Sequence, residues 1–291
     1  MGLEVHVLDL GDIALDTSFL VLAHDPGRRQ EVPTFGFLIT GGEVPIVVDT
    51  GFSDPSIMQN LGMDGWWRDG QGMEAQLAKH DLKMEDIRFI LHTHLHIDHA
   101  GYNAKFPMET TTVINRRELE YSASGLMGEQ YPALYIKHLI DRLHTPGALR
   151  LLDLEMVGAE EIIPGVRCTM AGGHTEGSMN VWVDTDDGLA CICGDVLYDI
   201  HHQLIEPHLQ LGYLDPAVTG NHGDSKRQEK AAIRNAINGA RLVFPAHDRP
   251  AVLERGQVVG RLFDRSSGDL IPNAEWPGKL TRDTHKELAS A

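Results

Sequence analysis

Between positions 92 and 101 the chain reads HTHLHIDHAG, so His94, His96, Asp98 and His99 pack four metal-ligating side chains into six residues. In an extended segment alternate side chains share a face, which projects His94, His96 and Asp98 together and gives His99 the opposite phase. The chain is therefore expected to turn near Asp98, letting two ligands serve one ion and two serve its neighbour. A helical HExxH pattern would instead aim both histidines at a single zinc. Imidazole with carboxylate suits zinc, with iron, manganese or cobalt as the other fits.

So short a cluster needs distant partners to close its coordination shells. Three follow apolar, strand-like runs or the turns after them: His174 in AGGHTEGS, Asp195 in ACICGDVLYD and His247 in LVFPAHD. Five histidines and two aspartates suffice for two ions, with Asp195 placed to bridge. Scattered core and surface histidines would not be expected to fall into an ordered set of seven. Burying converging carboxylates without a countercharge would also cost several kcal/mol per ion.

In this order the motifs resemble the metallo-β-lactamase superfamily, over roughly residues 30 to 250 and including VPIVVDTGF at 44–52 with its aspartate-bearing strand end. The resemblance implies a four-layer αββα sandwich of the α/β (α+β) class. It also implies that His94, His96 and His174 hold one divalent ion, Asp98, His99 and His247 the other, and that Asp195 bridges them. Around HLHIDHAG, GGHTEGS and VVDTGF the sequence is similar to the N-acyl homoserine lactonase and pyridoxolactonase-like branch. Tyr198, three positions after Asp195, stands where lactonases of that branch place a tyrosine against the substrate carbonyl.

The expected reaction is lactone opening by a metal-bridging hydroxide, a chemistry associated in this branch with quorum quenching. Paired ions generate hydroxide near neutral pH and polarise a carbonyl. Asp98 would orient the nucleophile and carry a proton to the leaving group, and Tyr198 would donate to the developing oxyanion. The alternatives are a binuclear amidase for a cyclic or aromatic amide, a thioesterase, and a metal-bearing sensor without turnover. Trp66 and Trp67 are candidate aromatic walls for the substrate, and His201 and His202 candidate contacts to a substrate carboxylate.

The elements that must position these groups read as follows. In the first 50 residues VHVLDL, FLVLA, FGFLIT and VPIVVDT are expected as successive strands. Residues 73–88 are expected as a helix and its exit, leading into strand RFILHTH. Residues 103–160 carry helical patterns near 116–122 and 131–144, then a strand segment EMVGAEEIIPGV, and read as a pocket-shaping insertion. VRCTMAG, MNVWVDT and LACICGDV return to strand. A His-rich loop to 224 and a helix near 225–239 precede ARLVFPAH, expected as the last core strand. One hydrolase domain, 1–263, is expected, with a polar tail, 264–291, that could wrap the surface, form a homodimer arm or be disordered.

Composition fits a soluble enzyme with one large core: 291 residues, 42% hydrophobic and 23% charged. The 42 acidic against 25 basic residues give a net charge of −17, which argues against a nucleic-acid partner and for a small-molecule substrate. No apolar run approaches the roughly 18 residues that span a bilayer. The start, MGLEVHVLDLGD, lacks a basic region followed by an apolar core, so no membrane association and a cytoplasmic location are expected. Cys168, Cys191 and Cys193 make no disulfide framework and read as buried small hydrophobes, although Cys193 lies just before Asp195. Neither a GxSxG elbow nor a P-loop is present.

Overall fold

The computed structural model describes residues 2–208, 216–220 and 225–262. Its first sheet contains β1 (Glu4–Asp16), β2 (Arg29–Thr40), β3 (Ile46–Val48), β4 (Asp64–Trp66), β5 (Phe89–Leu91), β6 (Thr111–Asn115) and β7 (Leu149–Leu152), in the order β4-β1-β2-β3-β5-β6-β7. The second contains β8 (Ala159–Ile163), β9 (Val166–Met170), β10 (Met179–Thr185), β11 (Gly188–Gly194), β12 (Leu242–Pro245), β13 (Ala251–Glu254) and β14 (Gln257–Arg261), stacked in reverse chain order. The helices are α1 (Thr17–Leu20), α2 (Met73–Ala78), α3 (Arg116–Ala123), α4 (Ala133–Leu143), α5 (Leu154–Val157) and α6 (Lys226–Asn238).

Strand alternation sorts the apolar residues into layers. Val5, Val7, Phe37 and Val48 of the first sheet meet Val181, Val183, Ile192 and Phe244 of the second in the core between the sheets. The intervening positions of β10 and β11, Trp182, Cys191 and Cys193, face outward against Ala232, Ile233, Ala236 and Ile237 of α6. Leu8, Leu10, Leu38 and Val47 face outward beneath Met73 and Leu77 of α2. Three apolar layers between four layers of elements are the αββα sandwich. All three cysteines are buried and free.

Several segments depart from the expected elements. FLVLA is not a strand: the Asp16 carboxylate accepts from Ser18 N (2.9 Å) and starts α1, after which Ala23 takes a positive φ of 59°. A side-chain cap overrides an apolar run here. The expected helix over 73–88 contracts to α2, which ends at Ala78, and a 3-10 turn at Met84–Asp86. Nor is 103–160 an insertion throughout, because β6 and β7 are integral strands of the first sheet; only the stretch between them leans over the site. Within EMVGAEEIIPGV, α5 precedes β8. After β12 the sheet continues through a β13–β14 hairpin turning at Arg255 and Gly256, both with positive φ, so ARLVFPAH is not the last strand. The 264–291 tail and the end of the His-rich loop, 221–224, lie outside the described residues.

Between β6 and β7, Arg142 of α4 is fully buried and donates to the carbonyls of Thr110 (2.7 Å), Phe106 (2.8 Å) and Pro107 (3.1 Å), fixing the helix to the loop beneath it. His6 on β1 lies beside His80 just beyond α2, with ring centroids 4.6 Å apart. Burial, and then His80, lower the His6 pKa to about 4. The unfolded chain therefore takes up a proton below about pH 6.5 that the folded chain refuses until about pH 4, and stability falls as pH drops through that window. We expect His6→Gln to escape up to about 3 kcal/mol of this loss. Urea midpoints of parent and variant at pH 7 and pH 4.5 check it, and parallel losses in the two chains would refute it.

Candidate metal centre

Every residue of the HxHxDH set and its distant partners sits just past the carboxyl end of a strand. His94 to His99 follow β5, His174 follows β9, Asp195 follows β11 and His247 follows β12. Because β5 runs parallel to β3 and β6, and β11 parallel to β12, these ends open on one rim of the sandwich, where sites in α/β folds form. Two tight approaches close the rim. A Cβ on Gly194, whose φ is +51°, would lie 2.4 Å from Thr93 Oγ1, and one on Gly177 would lie 2.0 Å from Glu118 N.

The structure brings all seven residues together as two buried groups: His94, His96, His174 and Asp195, and Asp98, His99 and His247, with candidate donor atoms within 4.8 Å of one another in each. In the first, His174 Nε2 lies 3.2 Å from His94 Nε2 and 3.0 Å from His96 Nδ1. Asp195 Oδ2 stands 3.7 and 3.5 Å from the Nε2 atoms of His94 and His174. In the second, Asp195 Oδ1 lies 3.2 Å from His99 Nε2 and 3.3 Å from His247 Nε2, which is also 3.3 Å from Asp98 Oδ2. One carboxylate thus turns one oxygen to each group. Asp98 groups with His99 rather than with His94 and His96, because the backbone after β5 is irregular and turns at 97–99 instead of staying extended.

The donor set fits divalent ions. Nitrogens at about 2.0–2.1 Å from a tetrahedral zinc lie roughly 3.3 Å apart, close to the spacing of the first group. Buried His99 Nε2 and Asp195 Oδ1 face one another at 3.2 Å without the alignment of a hydrogen bond, although polar atoms so deep are nearly always satisfied. The opposite ring nitrogens of His94, His99 and His247 are spoken for, whereas His96 Nε2 and His174 Nδ1 have no hydrogen-bond partner among the described residues. His99 Nδ1 donates to Asp49 Oδ2 (3.0 Å) and His247 Nδ1 to the Pro33 carbonyl (2.8 Å). Thr93 Oγ1 donates to Asp49 Oδ2 (2.6 Å), which leaves it to accept from His94 Nδ1 (3.1 Å). These partners fix the tautomers that turn the Nε2 lone pairs inward.

Charge divides the cluster the same way. Burial, reinforced by neighbouring imidazoles, holds His94 and His96 well below the usual histidine range, and burial brings His174 to about 4. For His247 burial is outweighed by Asp195 and Asp98, which raise it to about 10; Asp195, Asp98 and Asp49 likewise carry His99 well above its ordinary value. The carboxylate side calls for positive charge.

Tyr198 reaches the centre, donating to Asp195 Oδ2 (2.5 Å) and stacking on His247 at 5.3 Å and 6°. Buried Gln203 holds it there, its Oε1 accepting from the amides of Tyr198 (2.7 Å) and Asp199 (3.0 Å). His201 and His202 instead begin a π-helical turn, His201–Ile205; His201 faces Glu206 at 3.5 Å, and His202 Nδ1 is tied to Asp199 at 2.9 Å. Trp66 belongs to β4, and Trp67 stacks on Phe52 and donates through Nε1 to Leu10 O (2.9 Å) beside the bulge of β1. Gln71 binds both Asp9 and Asp12 next to that bulge, so this loop serves the strand.

A cavity opens on the cluster through His96, Asp98, Asp195, Tyr198 and His247. Its remaining walls among the described residues are Ile13, Leu15, Met58, Leu61, Met63, Ile97 and the neutral amide Gln130, and Trp66, Trp67, His201 and His202 are not among them. Three participants left no readable signal in the sequence: Gln203, Gln130 and Glu118. Asp49 was visible as a strand-end aspartate, and its φ of 56° marks it as a non-glycine residue held in the left-handed region.

Residues 29–247 match the metallo-beta-lactamase superfamily, and the chain belongs to that superfamily. An N-acyl homoserine lactonase of Bacillus cereus is 28% identical over 206 residues, covering 67% of this chain and 76% of its own length. Among solved structures, an N-acyl homoserine lactone hydrolase with the product N-hexanoyl-L-homoserine at its catalytic metal centre superimposes with a TM-score of 0.64 at 22% identity, over 85% of this chain and 94% of that one. A probable metal-dependent hydrolase from Staphylococcus aureus reaches a TM-score of 0.70 at 17% identity, over 91% and 98%.

Asp49 touches both the His99 ring and the Thr93 hydroxyl that faces His94, so Asp49→Asn should weaken zinc binding about 10- to 100-fold. Competition with a chromophoric chelator measures this. Unchanged affinity would mean that Asp49 does not orient the rings.

Proposed function

We propose that the chain is a metal-dependent lactonase that opens N-acyl homoserine lactones or closely similar small lactones, an activity that would quench quorum signals. The observation that carries the proposal is the cavity, a hydrocarbon wall of aliphatic and methionine side chains ending on the Asp98, Asp195, His247 and Tyr198 edge of the cluster. A neutral ester bearing an aliphatic acyl chain fits both ends of such a cavity. The 28% identical lactonase supports the same reading.

His94, His96 and His174 would hold one ion and Asp98, His99 and His247 the other, with Asp195 shared; zinc is the best match to this donor set. When bound, the ions supply Lewis acidity, lowering the pKa of water and polarising a carbonyl oxygen. The protein's own groups do the rest. The aliphatic wall holds the acyl chain so that the ring carbonyl meets the cluster, and it excludes water from the remainder of the cavity. Tyr198, fixed by Gln203 and by its stack on His247, is a phenol donor at the cluster that can transfer its hydrogen bond to the carbonyl oxygen as charge develops there. Asp98 lines the cavity, holds the proton released by the nucleophile and returns it to the ring oxygen that leaves. A thioesterase acting on an anionic thioester is disfavoured, since among the described residues neither lysine nor arginine lines the cavity to receive its carboxylate.

The test is hydrolysis of N-hexanoyl and N-decanoyl homoserine lactones by the zinc-loaded protein, beside matched lactams and thioesters. Lactone turnover that is lost to a chelator and restored by zinc is expected; cleavage of amides alone would move the assignment to an amidase. Tyr198→Phe should lower kcat/KM about 10- to 100-fold without changing zinc content. Asp98→Asn should cost at least about 100-fold in kcat, and near-parental turnover with both ions retained would remove Asp98 from proton transfer.

A further inference from the structure

We propose that Glu118 is a positioning residue that sets the ion affinity of the His94, His96 and His174 group while leaving that of the Asp98, His99 and His247 group unchanged. The proposal rests on reading the two groups as cation positions and is independent of which substrate the centre hydrolyses.

Glu118 lies in the first turn of α3, between β6 and β7, and is buried at 1% exposure. Its Oε1 accepts from Leu95 N (2.9 Å) and from the Tyr131 hydroxyl (2.9 Å), and its Oε2 from Thr175 Oγ1 (2.6 Å). The Gly177 amide is a further donor to the same carboxylate. Leu95 is the residue between His94 and His96, and Thr175 directly follows His174. Each nitrogen donor of the first group is therefore one residue from a Glu118 hydrogen bond. Tyr131 adds a second hold on the same group, with its ring 4.8 Å from that of His96.

The second group has separate supports. His99 is oriented by Asp49 and His247 by the Pro33 carbonyl, and Glu118 bonds to neither. Two loops from different sheets, 92–99 and 171–178, must meet to form the first group. The carboxylate of Glu118 is a side-chain bridge between them, beside the Met179 N–H to Thr93 carbonyl hydrogen bond (2.8 Å), and the contact of Gly177 with the α3 backbone brings the second loop within its reach.

The chemistry requires a carboxylate. The Leu95 N–H, a backbone amide that cannot reverse direction, takes Oε1, and the Thr175 hydroxyl takes Oε2, so each loop is held by a different oxygen. An ionised carboxylate accepts at both oxygens, whereas a glutamine accepts at one and presents N–H at the other. Glu118→Gln, nearly identical in shape, therefore removes one of the two charged acceptor oxygens that join the loops and weakens the bridge.

The experiment isolates each position. In a His247→Ala background the first group is left intact, and in a His174→Ala background the second is. Zinc affinity is measured in each, with and without Glu118→Gln, by competition with a chromophoric chelator. The expected result is a loss of at least tenfold in the first background and less than twofold in the second. Thr175→Val, which removes one arm of the bridge without touching α3, should reproduce the same selectivity with a smaller loss. Equal losses in both backgrounds, or no loss in the first, would overturn the proposal, and so would a parent chain that binds no zinc. Absence of lactone turnover in a zinc-binding parent would count against the lactonase reading alone.

Discussion

Two carboxylates with no lysine or arginine partner among the described residues, Asp98 and Asp195, are buried against five imidazoles at one rim of the sandwich, and the rest of the site follows from that constraint. Left uncompensated, anions so placed would cost several kcal/mol each. Protonating all the histidines would replace that cost with repulsion among rings whose centroids stand as little as 3.9 Å apart. Divalent ions meet both difficulties at once, because they need the imidazoles neutral and the carboxylates charged. The same constraint explains the fixed ring tautomers of His99 and His247, whose opposite nitrogens are committed to Asp49 and the Pro33 carbonyl.

The sandwich meets this constraint by sending the carboxyl ends of strands from both sheets to a single rim. The first sheet supplies Asp49 and the 92–99 loop; the second supplies His174, Asp195 and His247. A centre split across two sheets is only as accurate as the contacts that join them. Those contacts include the close packing of Gly194 on Thr93, the reach of His247 to the Pro33 carbonyl of β2, and the Glu118 bridge. Packing and polar ties across the rim thus set the ion geometry as surely as the donors themselves do.

The donors and the strands before them were legible because each is local: HxHxDH, and His or Asp at the end of an apolar run. Asp195 and His247 could be read from GDV and PAHD without knowing what they face. Glu118 could not, since in RRELEYSA it has the periodicity of an ordinary surface helix, and only the 177–118 backbone contact reveals that it points inward. Gln203 and Gln130 are hidden for the same reason. Trp66 and Trp67 misled in the opposite direction: bulky aromatics suggest a wall, but the bulge of β1 leaves Leu10 O in need of a donor, and the Trp67 indole supplies it. FLVLA misled because hydrophobic content cannot register a cap three residues upstream.

A strongly acidic chain with a hydrocarbon-lined site has a simple electrostatic logic. Net charge of −17 keeps the field over the outer surface negative, which disfavours polyanions and is indifferent to a neutral ester. Discrimination among neutral substrates must then come from shape and apolar contact. Each methylene buried along Met58, Leu61, Met63 and Ile13 contributes at most about 0.8 kcal/mol, while methionine's flexibility lets one wall accept several chain lengths. In the proposed reaction the carbonyl end would be fixed by directional groups and the acyl end by adaptable ones, making the site strict about the bond it breaks and tolerant of the chain attached to it.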